Sequence, residues 1–275
     1  MRDLAWENKW YPKRRWEAIR HQGAWNKMEG RPIAFFDLDH TLLDGANGNL
    51  VVAYMVKKGL LGWEAVWKAL KFTVLYRLNR LPREEVYRWT FQECGKYPIA
   101  ELIRMLDEAY EACIMPRLYR EGEECIAEHK AKGHLTVIAT AAGEYISEKV
   151  RVQLGADDKI AAVAPVRDGF LTDELQRPLP YGEGKEQLAR AYARSRGVDL
   201  AQCYFYSDSL ADLPLLEAVG HPVAVNPQRR LRRLAEERGW PVLRWRTPAG
   251  YTRPSRAVRL TFDPFEEPSN ADGGG

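Results

Sequence analysis

The sequence predicts an α/β fold: a doubly wound parallel sheet with a helical segment inserted after its first strand. Three observations carry that prediction. The runs Ile33-Ala34-Phe35-Phe36 and Tyr204-Phe205-Tyr206 are short, apolar and aromatic-rich, and each leads into aspartates. Such runs suit strands buried on both faces of a parallel sheet. A third run, Leu135-Thr136-Val137-Ile138-Ala139, ends at the hydroxyl of Thr140, and helical patterns separate it from the other two. Open sheets of this kind bind ligands at the carboxyl ends of their strands.

Taken in order, residues 1–29 form an arm ahead of the first strand. Trp6, Trp10, Trp16 and Trp25 interleave there with Lys13, Arg14 and Arg15. Interleaved aromatics and cations can meet nucleic acid or an anionic membrane, but the field is weak, and the arm is expected to pack on the domain surface. The α/β core takes residues 30–45 and 118–247, and a helical cap takes 46–117. Within the cap, Trp63, Val66, Trp67, Leu70 and Val74 recur at three- and four-residue steps, with Glu64, Lys68 and Lys71 opposite. That spacing predicts an amphipathic helix whose aromatic face forms the bundle core. Pro82-Arg83-Glu84-Glu85 reads as the start of the next helix, and a further helix is expected over 99–114.

Beyond the cap, residues 121–133 predict a helix ending at Gly133, a glycine past the last turn. The strand over 135–139 follows, then Ala141-Ala142-Gly143 and another helix from about Glu144. Asp168-Gly169 between two extended runs predicts a tight hairpin. A helix over 185–195, the strand over 202–207, a helix over 212–219 and a short strand over 222–225 complete the alternation. Arg229, Arg230, Arg232 and Arg233 then share a helix with Glu236 and Glu237, a solvated, ion-paired surface. A last strand falls near 241–244, and the tail over 248–275 is expected to be flexible.

Carboxylates dominate the predicted crevice. Asp37, Asp39, Asp208 and Asp212 would share one mouth, and crowded like charges require a proton or a cation. Oxygen-only ligation favours Mg²⁺, which keeps waters and accepts phosphate oxygens. Gly182-Glu183-Gly184-Lys185 opens a helix beside them, so Lys185 is the candidate cation.

The order Asp37-x-Asp39-x-Thr41, Thr140, Lys185, Asp208-x-x-x-Asp212 resembles the haloacid dehalogenase superfamily, and within it the phosphoserine-phosphatase-like branch, subfamily IB. The resemblance runs from about residue 33 to 245. It implies a Rossmann-like core with a cap, and a Mg²⁺-dependent phosphomonoester phosphatase working through an aspartyl-phosphate. By that resemblance Asp37 is the nucleophile and Asp39 the general acid and base, while Thr140 and Lys185 bind phosphoryl oxygens. The metal ligands are then Asp37, Asp208 and the backbone carbonyl of Asp39. Asp212, Thr41 and Ser209 take supporting places. The chain departs from phosphoserine phosphatases at Ala46, where they carry a glutamate that reads the substrate's amine. It also departs at Ala211, where they carry asparagine, and at His40, where a small residue is common. The substrate is therefore expected to be a small phosphorylated metabolite other than phosphoserine. Alternatives are phosphoryl transfer to an acceptor other than water, carbon–halogen cleavage, or a catalytically weak protein that holds a lipid or a partner.

Composition narrows the remaining classes. The chain has 275 residues with 41 Lys+Arg against 38 Asp+Glu, a near-balanced charge that demands no nucleic acid partner. Cys94, Cys113, Cys125 and Cys203 are scattered, which suggests neither a zinc site nor a disulfide framework. Glu64, Lys68, Lys71 and Arg77 interrupt the longest apolar region, so no membrane span is expected. Asp3, Glu7 and Lys9 break any leader-like run. A cytoplasmic protein is the expectation, with peripheral membrane contact not anticipated.

Overall fold

The computed structural model describes residues 30–77 and 83–252. The predicted arm over 1–29 and the tail beyond 252 lie outside the described residues. Six parallel strands form the main sheet: β1 Ile33–Phe36, β2 Leu135–Gly143, β3 Asp158–Ala162, β6 Tyr204–Ser207, β7 His221–Val225 and β8 Val242–Leu243. Their spatial order is β3-β2-β1-β6-β7-β8. The chain thus winds outward from β1 in one direction, returns, and winds outward in the other. The strand order reverses at β1, where a crevice opens at the carboxyl ends.

Alternation along the strands divides the core. Ile33, Phe35, Leu135, Val137 and Phe205 face α7 Glu183–Ser195, α8 Leu213–Ala218 and α9 Arg229–Arg238. Ala34, Phe36, Ile138 and Tyr206 face α5 Arg120–Ala131, α6 Glu144–Leu154 and the inserted helices. β1 is fully buried on both sides, as its unbroken apolar run requires. On α9, Arg233 pairs with Glu237 at 2.8 Å in solvent, as predicted.

The chain between β1 and β2 is helical: α1 Asn47–Lys57, α2 Trp63–Arg77, α3 Arg83–Cys94 and α4 Ile99–Ala109. α4 runs on through a π-helical turn, Tyr110–Ile114, and a 3₁₀ turn, Met115–Arg117. A half-buried ion pair ties this insertion to the core. Lys149 of α6 donates to Asp107 of α4, which also accepts from Tyr145 Oη at 2.7 Å. The Lys149 ammonium lies 5.1 Å from the Tyr110 ring centre. The hairpin β4 Val166–Arg167 and β5 Phe170–Leu171 leans on the same insertion, with the Ile99 amide donating to Gly169 O at 2.8 Å. Its corner residues Asp168 and Gly169 have φ of 52° and 79°, as the Asp-Gly signal predicts.

Three expectations are corrected. The apolar stripe on α2 is not bundle core: Trp63, Trp67, Leu70 and Val74 stand in solvent, and Phe72 supplies the packed face against Trp89. Periodicity says which residues share a face but not which way that face points. The second strand does not stop at Ala139: it runs on to Gly143, which pairs with Ala162 after a bulge. The start of the tail is fixed, because Pro248 bridges to Tyr119 and the Ala249 amide donates to Leu118 O at 2.7 Å. Among the described residues no helix is long and apolar enough to cross a membrane.

An aromatic–histidine stack lies along β6. Tyr206 stacks on Phe36 at 4.6 Å, and His129 Nε2 meets Tyr206 Oη at 2.8 Å. His129 Nδ1 meets His134 Nδ1, also at 2.8 Å, so one ring donates and the other accepts. Burial, then the neighbouring His134 and Lys132, push His129 down to about 4. The folded protein therefore keeps a neutral ring that the unfolded chain protonates near pH 6.5. Stability from this site is complete above about pH 6.5 and is lost as pH falls towards 4, by about 3 kcal/mol. Denaturant titrations of wild type and His129→Gln at pH 7 and pH 4.5 should show the wild type losing more stability on acidification; equal losses would refute the buried neutral ring.

Candidate active site

Asp37 leaves β1 at its carboxyl end, its amide donating to Tyr206 O at 2.9 Å. The next residues fold into a tight turn. Leu38 O accepts from the amides of Thr41, Leu42 and Leu43 at 3.2, 3.0 and 3.0 Å. His40 takes a left-handed conformation, φ 59°, and its amide donates to Gly45 O. Histidine visits that region at modest cost, so the departure at His40 is accommodated. The turn brings Asp39 to the start of α1. There Asp39 Oδ1 accepts from the backbone amide of Asn47 at 2.7 Å and from its Nδ2 at 2.8 Å. Nδ2 also lies 3.0 Å from Asp39 Oδ2.

Lys185 enters from the other side of the sheet. Gly182 has φ +55°, and a Cβ on Gly184 would run into the Leu179 carbonyl. The two glycines thus let the chain pass close enough to start α7 against that loop. Lys185 Nζ is fully enclosed and donates to Asp37 Oδ1 and to Asp212 Oδ2, both at 2.8 Å. Asp212 Oδ2 also accepts from Ser207 Oγ at 2.8 Å. Asp208 follows β6; its Oδ2 lies 3.4 Å from Gln228 Nε2, and its carbonyl accepts from the Gln228 amide at 3.1 Å.

The enclosed carboxyls sit where their charged forms are disfavoured. Burial pushes the Asp37 carboxyl up to about 7, with Asp212 and Asp39 adding to the rise and Lys185 opposing it. Burial, then Asp37 and Asp212, hold Asp208 well above the usual carboxylate range. Burial works against the charge on Lys185, yet Asp212 and Asp37 hold it above the ordinary lysine range. One lysine does not balance this group, and a divalent cation among oxygen donors would. Among the described residues no three acidic, histidine or cysteine side chains form a ready-made metal cage. Two carboxylates and a carbonyl are nonetheless a donor set that suits Mg²⁺, which retains waters. The residues fit the ion.

Of the predicted residues, Asp37, Lys185 and Asp212 are in direct contact, and Asp39 and Asp208 lie within their electrostatic reach. Thr140 is buried on β2, two residues beyond the Ile138–Phe36 pair, and its Oγ1 accepts from the Ala142 amide at 3.0 Å. Thr41 Oγ1 is buried with no hydrogen-bond partner among the described residues. Ser209 caps the 3₁₀ turn at Leu210–Asp212 through the Ala211 amide. Sequence reasoning missed Asn47, Ser207 and Gln228. Ser207 was within reach of it, since a hydroxyl directly before the Asp208 motif shares the strand end.

Residues 34–217 match the haloacid dehalogenase-like hydrolases. The chain belongs to that family. It is 36% identical over 221 residues to a probable phosphatase of Mycobacterium tuberculosis H37Rv, covering 79% of this chain and 77% of that protein. It is 31% identical to a phosphoserine phosphatase of the same organism, covering 76% and 69% of the two chains. A Bordetella pertussis protein of unknown function shares the fold at TM-score 0.72 and 30% identity, over 78% of this hydrolase and 98% of that chain. The predicted family and its phosphoserine-phosphatase-like branch are thus confirmed.

Removing Lys185 from this hydrolase leaves two buried carboxylates without their shared cation. Lys185→Met should lower the unfolding free energy by about 3 kcal/mol, read from urea titrations. Adding Asp212→Asn should restore part of it; a double variant no more stable than the single one would contradict the pairing.

Proposed function

We propose that this phosphatase hydrolyses small organic phosphomonoesters in two steps, with Asp37 as nucleophile. The observation that carries the reading is the buried Asp37–Lys185–Asp212 bridge at the switch point of the sheet. In the first step an Asp37 carboxylate oxygen bonds to phosphorus, and the bond from phosphorus to the ester oxygen breaks. Asp39 gives the departing alkoxide a proton. In the second, Asp39 takes a proton from water as that oxygen attacks phosphorus, and Asp37 leaves as a carboxylate with inorganic phosphate released. Lys185 and the Thr140 hydroxyl serve the phosphoryl oxygens. Asp212 and Ser207 keep Lys185 in place, so they are positioning residues.

Asp37, Asp208 and the Asp39 carbonyl would hold Mg²⁺, which when bound neutralises the charge between the nucleophile and the phosphoryl group. Asn47, the first residue of α1, fixes the Asp39 carboxylate and so links the helical insertion to the acid–base group. We read residues 46–117 as a cap on that basis. Ala46 supplies no carboxylate for a substrate amine, which favours a substrate other than phosphoserine despite the named relative. Free, scattered cysteines suit the cytoplasm.

Asp37→Asn should lower turnover by at least about a thousandfold with the fold retained, measured as phosphate release alongside circular dichroism. Chelation should stop turnover and Mg²⁺ restore it; chelator-resistant activity would count against the metal reading. Asn47→Ala should lower kcat by about tenfold with little change in KM, whereas an unchanged kcat would remove Asn47 from the machinery.

A further inference from the structure

Three of the four carboxylates at the site have a partner with an assigned role: Asp37 and Asp212 share Lys185, and Asp39 is held by Asn47. The fourth, Asp208, is 3% exposed and meets Gln228, which stands just ahead of α9. Gln228 Nε2 lies 3.4 Å from Asp208 Oδ2, at the long end of hydrogen-bonding distance. A second contact joins the same two residues through the main chain, the Gln228 amide donating to Asp208 O at 3.1 Å.

The backbone that carries Gln228 is locked on both sides. Upstream, Asn226 takes a left-handed conformation, φ 45°. Its amide donates to Leu243 O at 2.9 Å, and its Oδ1 accepts from the Trp245 amide at 3.0 Å. Pro227, next in the chain, is buried and brings a fixed φ of its own. Downstream, Gln228 O accepts from the Arg232 amide at 2.9 Å as α9 begins. The side chain therefore starts from a rigid base, as a group that orients another must. It is exposed where Asp208 is buried, so it stands on the solvent side of that carboxylate.

A metal-binding carboxylate must stay charged and keep one orientation, and hydrogen bonds from beyond the ligands supply both. Burial, then Asp37 and Asp212, disfavour the charged form of Asp208, whereas the Gln228 contact favours it. A neutral amide does this without adding another charge to a crowded group of acids. We propose that Gln228 is a positioning residue for the divalent cation, aiming and holding the Asp208 carboxylate from the start of α9. This role rests on the reading of Asp208 as a Mg²⁺ ligand.

Mg²⁺ titrated calorimetrically into the metal-free full-length chain, with no substrate present, tests it in wild type, Gln228→Ala, Gln228→Met and Asp208→Asn. Gln228→Met keeps the length of the side chain and loses its donor. Both Gln228 variants should bind Mg²⁺ at least about tenfold more weakly than wild type. The Mg²⁺ concentration for half-maximal phosphate release should rise by a similar factor. Metal-free melts by circular dichroism should match wild type, because the side chain is exposed. Lowered melts with unchanged affinity would show a structural role only and overturn the proposal. Wild-type affinity in Gln228→Met would also overturn it, even beside a weakened Gln228→Ala, since the side chain would then act by filling space. Asp208→Asn should bind more weakly still. If it bound as wild type does, Asp208 would be no ligand and the metal reading itself would fail. A defect in Asp208→Asn beside intact Gln228 variants would remove the Gln228 role alone.

Discussion

A buried ammonium shared by two buried carboxylates is the constraint on which the rest of this structure depends. Lys185 is enclosed at the mouth of the sheet, and its charge is tolerable only because Asp37 and Asp212 each accept from it at 2.8 Å. The reverse also holds, since burying either carboxylate without the lysine would cost several kcal/mol. The three groups therefore fix one another across three parts of the chain: the end of β1, the start of α7 and the turn after β6. Such a pair is a weak source of net stability and a strong source of geometry. It holds the Asp37 carboxylate in one orientation at the mouth of the sheet.

The topology makes this arrangement possible. Register aligns Phe36 with Ile138 on one side and with Tyr206 on the other. Asp37, Thr140 and Ser207–Asp208 consequently emerge at nearly the same height. The crevice opens where successive connections leave β1 in opposite directions. Below this rim the Phe36–Tyr206–His129 stack fills the sheet face with rings and keeps its polar atoms paired among themselves. The tight turn after Asp37 delivers Asp39 to Asn47, and the inserted helices thereby touch the Asp39 carboxylate through their first residue.

Much of this was legible in the sequence because it is written in short-range terms. Apolar runs ending in carboxylates mark strand ends, and a Gly-x-Gly-Lys step marks a helix starting against a loop. Asp37, Asp208, Asp212 and Lys185 could be named from such signals before any geometry. Asn47 could not be, because its role depends on turn geometry a few residues long that many sequences share. The His129 stack gathers residues from α5, β1 and β6, and nothing in their spacing announces one another. The outward face of α2 was misjudged for a different reason: both sides of that helix are apolar, and only tertiary contacts decide which becomes core. Residues 141–143 join β2 through pairing with β3, although Ala-Ala-Gly has little strand preference of its own.

The central claim is that Asp37 carries the phosphoryl group covalently, and trapping that adduct tests it most directly. An Asp39→Asn variant mixed with p-nitrophenyl phosphate and Mg²⁺ needs no acid to expel the nitrophenolate, but it lacks the base for water. Acid quenching followed by peptide mass spectrometry should then find a phosphoryl adduct on the peptide containing Asp37, and none when Asp37→Asn is added. Nitrophenolate release without an adduct at Asp37, or with the adduct on another residue, would contradict the account.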